Sequence, residues 1–182
     1  MSPAAATALV GLLVERGLRV ATAESLTGGL VCAALTDVPG SSAVVRGGVV
    51  SYAADVKASV LGVDPSLLAE RGAVDPDVAA AMASGVRALL AADLGVSTTG
   101  VAGPEPADGQ PVGTVFVGVC GPGGTAVERH AFTGDRDAVR RATVAAALDL
   151  LDRTARNLRA DPGPGGYGGP TTEVSTRREE AP

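Results

Sequence analysis

Residues 18–35 read LRVATAESLTGGLVCAAL, and this stretch decides the fold. Leu18–Ala23 is short, apolar and spaced as a strand. Glu24-Ser25-Leu26-Thr27-Gly28-Gly29 then turns the chain into a helix that runs to about Leu35. A strand feeding directly into a helix is the repeating unit of α/β proteins.

Outward from this unit the same alternation continues. Upstream, residues 4–17 carry Leu9, Leu12 and Leu13 at helical spacing and stop at Gly17. Downstream, Pro39-Gly40-Ser41-Ser42 is a loop and Gly47–Tyr52 a second strand. Helices are expected at Ala54–Leu61, Pro65–Glu70 and Asp77–Ala92, the last opened by Pro76, where a missing N–H does no harm. Leu94–Thr99 is a strand, Gly103–Pro111 a loop, and Val112–Cys120 with Thr125–Phe132 an antiparallel hairpin turning at Gly121–Gly124. Asp135–Thr154 is the closing amphipathic helix. This order predicts a three-layer α/β/α sandwich around a mixed, mainly parallel sheet, filling residues 1–155. Residues 156–182 are rich in Gly, Pro and charge, have almost nothing to bury, and are expected to be a disordered tail.

Composition narrows the function classes. Apolar residues make up 46% and aromatics 2%, so Ala, Val and Leu must fill the core, which suits helices packed closely on a sheet. A net charge of −5 argues against direct, non-specific binding to nucleic acid, which needs a basic stripe. It leaves room for a small anionic ligand held by a local cluster such as Arg136, Arg140 and Arg141. Cys32, Cys120 and the single His130 make neither a disulfide framework nor a recognisable zinc site. No signal peptide is evident and no apolar run reaches membrane length, so a cytoplasmic location without membrane contact is expected.

Four segments could carry chemistry. Glu24–Gly29 lies where a strand ends and a helix begins, the place where open α/β sheets bind ligands. Backbone N–H groups there suit an anion or a developing oxyanion, and Gly28 and Gly29 permit close approach. Equally, Ser25 or Thr27 could simply cap the helix while the glycines pack. Tyr52 ends the second strand and Lys57 follows one turn into the next helix; either a solvated Lys57 and a structural Tyr52 or a chemical pair fits that spacing. Thr98–Pro104 is a glycine-containing turn after a strand, followed by Pro111–Thr114. In Gly134–Arg140, Asp135 can cap a helix while Arg136 and Arg140 share a face, solvated or facing a ligand. His130 lies mid-strand in ERHAF, away from any strand-end cleft, so a lysine is the better base for a nucleophilic Ser25.

Taken together, TAESLTGG (22–29), PGSS (39–42), RGGVVSYAADVK (46–57), LGV (61–63), RGAV (71–74), TGVAGP (99–104), PVGTV (111–115) and GDRDAVR (134–140) resemble the CinA C-terminal domain family, which includes stand-alone nicotinamide mononucleotide deamidases. The resemblance implies hydrolysis of the carboxamide of nicotinamide mononucleotide to the nicotinate nucleotide and ammonia, with no metal or organic cofactor. It implies Ser25 as nucleophile, Lys57 as base and Tyr52 between or beside them. The expected contacts to the nucleotide substrate come from Glu24, Thr27, Gly28, Gly29, Ser42, Thr99, Gly100, Arg136 and Arg140. A homo-oligomer, dimer or trimer, is also expected. The alternative is a non-catalytic nucleotide-binding module with a regulatory, competence or DNA-damage role. Three positions depart from the family's usual pattern: Ala54 where Asn is common, Asp75 where Ser is common, and a loop at Glu105–Gly109 without the usual Gly-Gly.

For such a site Lys57 must lose its proton. At an ordinary pKa near 10.4, only about one lysine in 2,500 is neutral at pH 7. Reaching half-neutral takes a downward shift of about three units, which enclosure can supply. Lys57 is therefore expected to point inward with no carboxylate in contact, Glu24 being the acidic group that would oppose the shift. Oxyanion donors are expected among the N–H groups of Leu26–Gly29.

Overall fold

The computed structural model describes residues 3–158. Helices α1 (Pro3–Glu15), α2 (Leu30–Thr36), α3 (Ala54–Leu61), α4 (Pro65–Arg71), α5 (Pro76–Leu89) and α6 (Arg136–Asn157) alternate with strands β1 (Val20–Glu24), β2 (Val45–Val50), β3 (Leu94–Gly100), β4 (Thr114–Gly121) and β5 (Gly124–Ala131). The expected end of the domain at residue 155 falls within α6, which continues to Asn157; residues 159–182 of the expected tail lie outside the described residues.

The strands form one sheet in the order β2-β1-β3-β4-β5. β1 pairs in parallel with β2 and β3, and β4 runs antiparallel to β3 and β5, so four strands share a direction and only β4 opposes them. The sandwich is the predicted one. Helices α1, α2 and α6 cover one face, and α3, α4 and α5 the other. Leu9, Leu13, Leu35, Leu148 and Leu151 fill the first interface; Leu61, Val78, Met82 and Val86 fill the second.

The near-absence of aromatics has a structural counterpart in how closely α5 lies on its neighbours. A Cβ on Gly85 would sit 2.0 Å from the Leu61 carbonyl oxygen, and one on Gly95 would sit 2.1 Å from that of Ala83. Both positions are closed to any side chain, so small residues here set the layer spacing. Ser97 and Thr99 of β3 add hydroxyl bonds of 2.6 Å to the carbonyls of Ala79 and Ala73.

Several boundaries differ from expectation by one to three residues. Helix α2 starts at Leu30, directly after the expected turn, because Gly28 and Gly29 have φ of +61° and +98° and a right-handed helix cannot pass through them. Strand β2 spans Val45–Val50, so Ser51 and Tyr52 lie just beyond its end. This end of β2 falls where the candidate functional residues lie.

Chain direction fixes where that site forms. β1 leaves into α2 on one face, whereas β2 leaves into α3 on the other. Connections that diverge from adjacent strands open a crevice at their carboxyl ends, where ligands of open α/β sheets bind.

Candidate active site

Ser25 follows the last residue of β1, and its N–H donates to the Thr98 carbonyl of β3 at 3.0 Å. On the other side, the Ser51 N–H donates to the Glu24 carbonyl at 2.9 Å. The end of β1 is thus pinned from both neighbouring strands. Lys57, on the first turns of α3, is 0% exposed. Its Nζ donates to Ser25 Oγ at 3.0 Å, to the Ser51 carbonyl at 2.7 Å and to the Tyr52 carbonyl at 3.2 Å. The site therefore brings Ser25 and Lys57 together, as the sequence reading required.

Burial pulls the Lys57 pKa down to about 8, and the charge of Asp108 partly opposes the shift. No described ion pair includes Lys57. Three partners suit both protonation states of the amine. An ammonium donates to all three; a neutral amine keeps two N–H bonds to the carbonyls and turns its lone pair toward the Ser25 hydroxyl. At pH 7 a pKa of about 8 leaves roughly one Lys57 in ten neutral, against about one in 2,500 for a free side chain.

The other expected residues separate. Tyr52 contacts Lys57 only through its main-chain carbonyl. The residue is 60% exposed, and its hydroxyl accepts from Arg136 Nη2 at 2.9 Å. Arg136 Nη1 also donates to the Gly103 carbonyl at 2.7 Å, so Tyr52 and Arg136 link the segment after β2, the turn after β3 and the first turn of α6. Arg140 reaches the same end of the sheet but faces Ser25's own turn, donating from Nε to the Leu26 carbonyl at 3.0 Å and from Nη2 to that of Thr27 at 2.9 Å.

Glu24 is corrected from ligand contact to helix support. Its carboxylate is buried and accepts from the N–H groups of Gly29, Val31 and Cys32 and from the Thr22 hydroxyl. Four donors occupy it, leaving no opening for a ribose. Glu24→Gln should lower unfolding free energy by about 2–4 kcal/mol, since one carboxylate oxygen with charge-assisted bonds becomes an NH₂ facing N–H donors. A urea denaturation midpoint equal to that of the wild type would contradict this account.

The hydroxyls of Thr27 and Thr99 are likewise engaged within the protein. Both are buried; the Thr27 hydroxyl bonds that of Thr98 at 2.7 Å, and Thr99 is tied to Ala73. Gly100 allows the end of β3 to lie close against β4, because a Cβ there would meet the Thr114 carbonyl oxygen at 2.6 Å. Over Gly28, the nearest occupant is the Arg140 guanidinium at 3.5 Å, while a Cβ on Gly29 would lie 3.7 Å from Val50. Ser42 is exposed in the 3-10 turn Ser41–Ala43, which precedes β2. In a parallel pair that turn lies at the amino ends of the strands, across the sheet from Ser25.

Among the expected oxyanion donors, the Gly28 N–H is taken by the Ser25 carbonyl and that of Gly29 by Glu24. The N–H groups of Leu26 and Thr27 have no hydrogen-bond partner among the described residues. Arg140 holds the Leu26 carbonyl, and in a planar trans peptide the Thr27 N–H points the opposite way, away from that guanidinium.

Sequence reading missed two participants. Asp108, not Glu24, is the acidic group acting on Lys57. It belongs to the loop without Gly-Gly, and it accepts from the N–H groups of Ala73 and Val74 at 2.7 and 3.1 Å, tying that loop to RGAV. Ser51 is the second. Of the remaining departures from the family pattern, Asp75 caps α5 through the Asp77 N–H, and Ala54 opens α3. His130, in β5 and three strands away from β1, stacks on Phe132 just beyond the strand's end. No group of three His, Cys, Asp or Glu among the described residues could hold a metal, and no described helix is long and apolar enough to cross a membrane.

Comparison with known proteins gives a consistent answer. Residues 3–155 match the CinA C-terminal domain family. A CinA-like protein of Frankia casuarinae is 49% identical over 174 residues, covering 96% of this chain and 38% of the relative. A CinA-like protein of Geobacter sulfurreducens is 48% identical over 148 residues, covering 81% of this chain and 36% of that protein. The chain thus spans little more than a third of these curated relatives. Among solved structures, a competence-damaged protein (CinA) superfamily member from Klebsiella pneumoniae superposes with a TM-score of 0.83 at 34% identity, covering 86% of this chain and 98% of its own. The competence/damage inducible protein CihA of Agrobacterium tumefaciens gives 0.81 at 36% identity, covering 85% and 95%.

Proposed function

The chain belongs to the CinA C-terminal domain family, and on that premise we propose that it is an amidohydrolase cleaving the carboxamide of a nicotinamide nucleotide, nicotinamide mononucleotide foremost. The observation carrying this reading is the 3.0 Å contact between Ser25 Oγ and a fully buried Lys57 Nζ. An amide is a weak electrophile, so its hydrolysis needs an activated hydroxyl and donors for the oxyanion.

In this mechanism neutral Lys57 takes the Ser25 proton as Oγ attacks the carboxamide carbon. The N–H groups of Leu26 and Thr27 receive the negative oxygen. Lys57 returns the proton to the departing nitrogen, the C–N bond breaks, and ammonia leaves an acyl-Ser25 ester. Water then attacks that ester while Lys57 takes its proton; the nicotinate product departs and Ser25 is re-protonated. Arg136 and the donors that Arg140 does not spend on Leu26 and Thr27 offer guanidinium groups for the nucleotide phosphate. A cationic pyridinium ring bound nearby pushes Lys57 further toward its neutral form.

The test is ammonia release from purified protein given nicotinamide mononucleotide. Binding without ammonia would favour the rival reading of a regulatory nucleotide-binding module. The pH profile adds a second check. Because the neutral amine is the active form, kcat/KM should rise as pH approaches about 8 and level off above it. Asp108→Asn removes a charge that keeps Lys57 protonated while retaining an oxygen for the Ala73 and Val74 N–H groups, so its plateau should begin at lower pH. A rate falling across that range would contradict Lys57 as base.

A further inference from the structure

We propose that Ser51 is a substrate-contacting residue of this centre, its hydroxyl accepting a hydrogen bond from the carboxamide N–H and so holding the nitrogen that leaves. The assignment rests on the amidohydrolase reading and adds a specificity element to it. Ser51 is fully buried, and its Oγ has no hydrogen-bond partner among the described residues. Among the described residues, the only other buried side-chain polar atom without a hydrogen-bond partner is His130 Nε2, in β5. The buried hydroxyls of Thr27, Ser97, Thr98, Thr99 and Thr143 are all bonded. A buried hydroxyl left without a partner is unfavourable, and such a group next to a reactive pair points to a ligand atom as its partner.

Strand register gives its direction. Glu24 pairs with Val50, and both approach α2: Glu24 binds the N–H groups at its start, and Val50 lies beside Gly29. Side chains alternate along a strand, so the next residues, Ser25 and Ser51, project to the opposite face, where α3 brings in Lys57. The Ser51 carbonyl already accepts from Lys57 Nζ. Ser51 therefore flanks Ser25 from the β2 side. The Leu26–Thr27 turn flanks it from the β3 side, where the Thr27 hydroxyl bonds Thr98.

Amide geometry completes the assignment. The oxygen, the nitrogen and the ring bond of a planar carboxamide diverge in one plane from the carbon that Ser25 attacks. With the oxygen at the Leu26 and Thr27 N–H groups, one of the two remaining orientations turns the NH₂ toward β2, where Ser51 offers it an acceptor. An ester has no N–H to offer, and its alkoxy oxygen is only a weak acceptor if the hydroxyl turns to donate, so this group favours amides over esters.

The experiment compares nicotinamide mononucleotide with the methyl ester of nicotinate mononucleotide as substrates of the full chain, reading the ratio of their kcat/KM values. Ser51→Ala should lower the amide-to-ester ratio by about ten-fold or more, the loss of one well-placed hydrogen bond in a buried site. Ser51→Thr keeps the hydroxyl and should restore most of the ratio. A ratio in Ser51→Ala within about two-fold of the wild type, or an equal fall in Ser51→Thr, overturns the assignment. A wild type that cleaves the ester but releases ammonia from no carboxamide removes the amidohydrolase reading and the Ser51 role with it.

Discussion

Ser25→Ala should reduce ammonia release from nicotinamide mononucleotide by roughly 10³-fold or more while leaving the fold intact. The size follows from the lack of a substitute nucleophile. Thr27 is buried and bonded to Thr98, and Thr99 is bonded to Ala73, so neither hydroxyl can stand in. The Leu26 and Thr27 N–H groups remain to polarise the carboxamide, which leaves only slow attack by water. Stability should change little, because the hydroxyl makes one bond, to Lys57, which keeps two carbonyl acceptors. The measurement is steady-state ammonia release beside a denaturation curve. A variant as active as the wild type would remove the nucleophile, and one that unfolds would show Ser25 to be structural instead.

Lys57→Met should also abolish turnover, and it should change how stability responds to pH. Folding lowers the Lys57 pKa from about 10.5 to about 8. Between those values the unfolded chain holds a proton that the folded chain has released, so high pH favours the folded state. Relative to Lys57→Met, the wild type should therefore gain stability as pH rises through this window, by about 3 kcal/mol in all. Below pH 8 both states carry the charge, and the wild type bears the full penalty of burying it. Methionine has a similar length and no charge to desolvate, although it leaves the Ser51 and Tyr52 carbonyls without their donor. Urea denaturation of both proteins at several pH values isolates Lys57, because every other titrating group cancels in the difference. Parallel stability curves would mean that Lys57 is solvated in solution, and the base would have to be sought elsewhere.

The order of strands and helices was legible because each element declares itself within a few residues. Spacing marks α1 and α5, Gly and Pro mark the turns, and the β4–β5 hairpin turns at Gly121–Gly124. Boundaries were less so where the chain serves the site. Ser51 and Tyr52, expected within the strand, leave it to hold Lys57. Ser25 and Lys57 could be paired on motif resemblance because both lie at predictable ends of elements. The fate of Glu24 could not be read in this way. Its sequence position admits a ligand contact, but the folded chain surrounds it with four donors.

What the sequence by itself determined is the α/β sandwich and the presence of a serine just after one strand and a lysine one turn into the helix that follows another. Those follow from periodicity and turn chemistry, which act over short stretches of chain. Only the tertiary structure decided that Asp108 acts on Lys57, that Tyr52 turns its hydroxyl to Arg136, that Ser42 lies at the far end of the sheet, and that Ser51 is left with an unpaired hydroxyl. Each depends on strand register and on which polar groups remain after distant segments have paired, and hydrogen bonds between segments that meet only on folding leave no periodic trace in the chain.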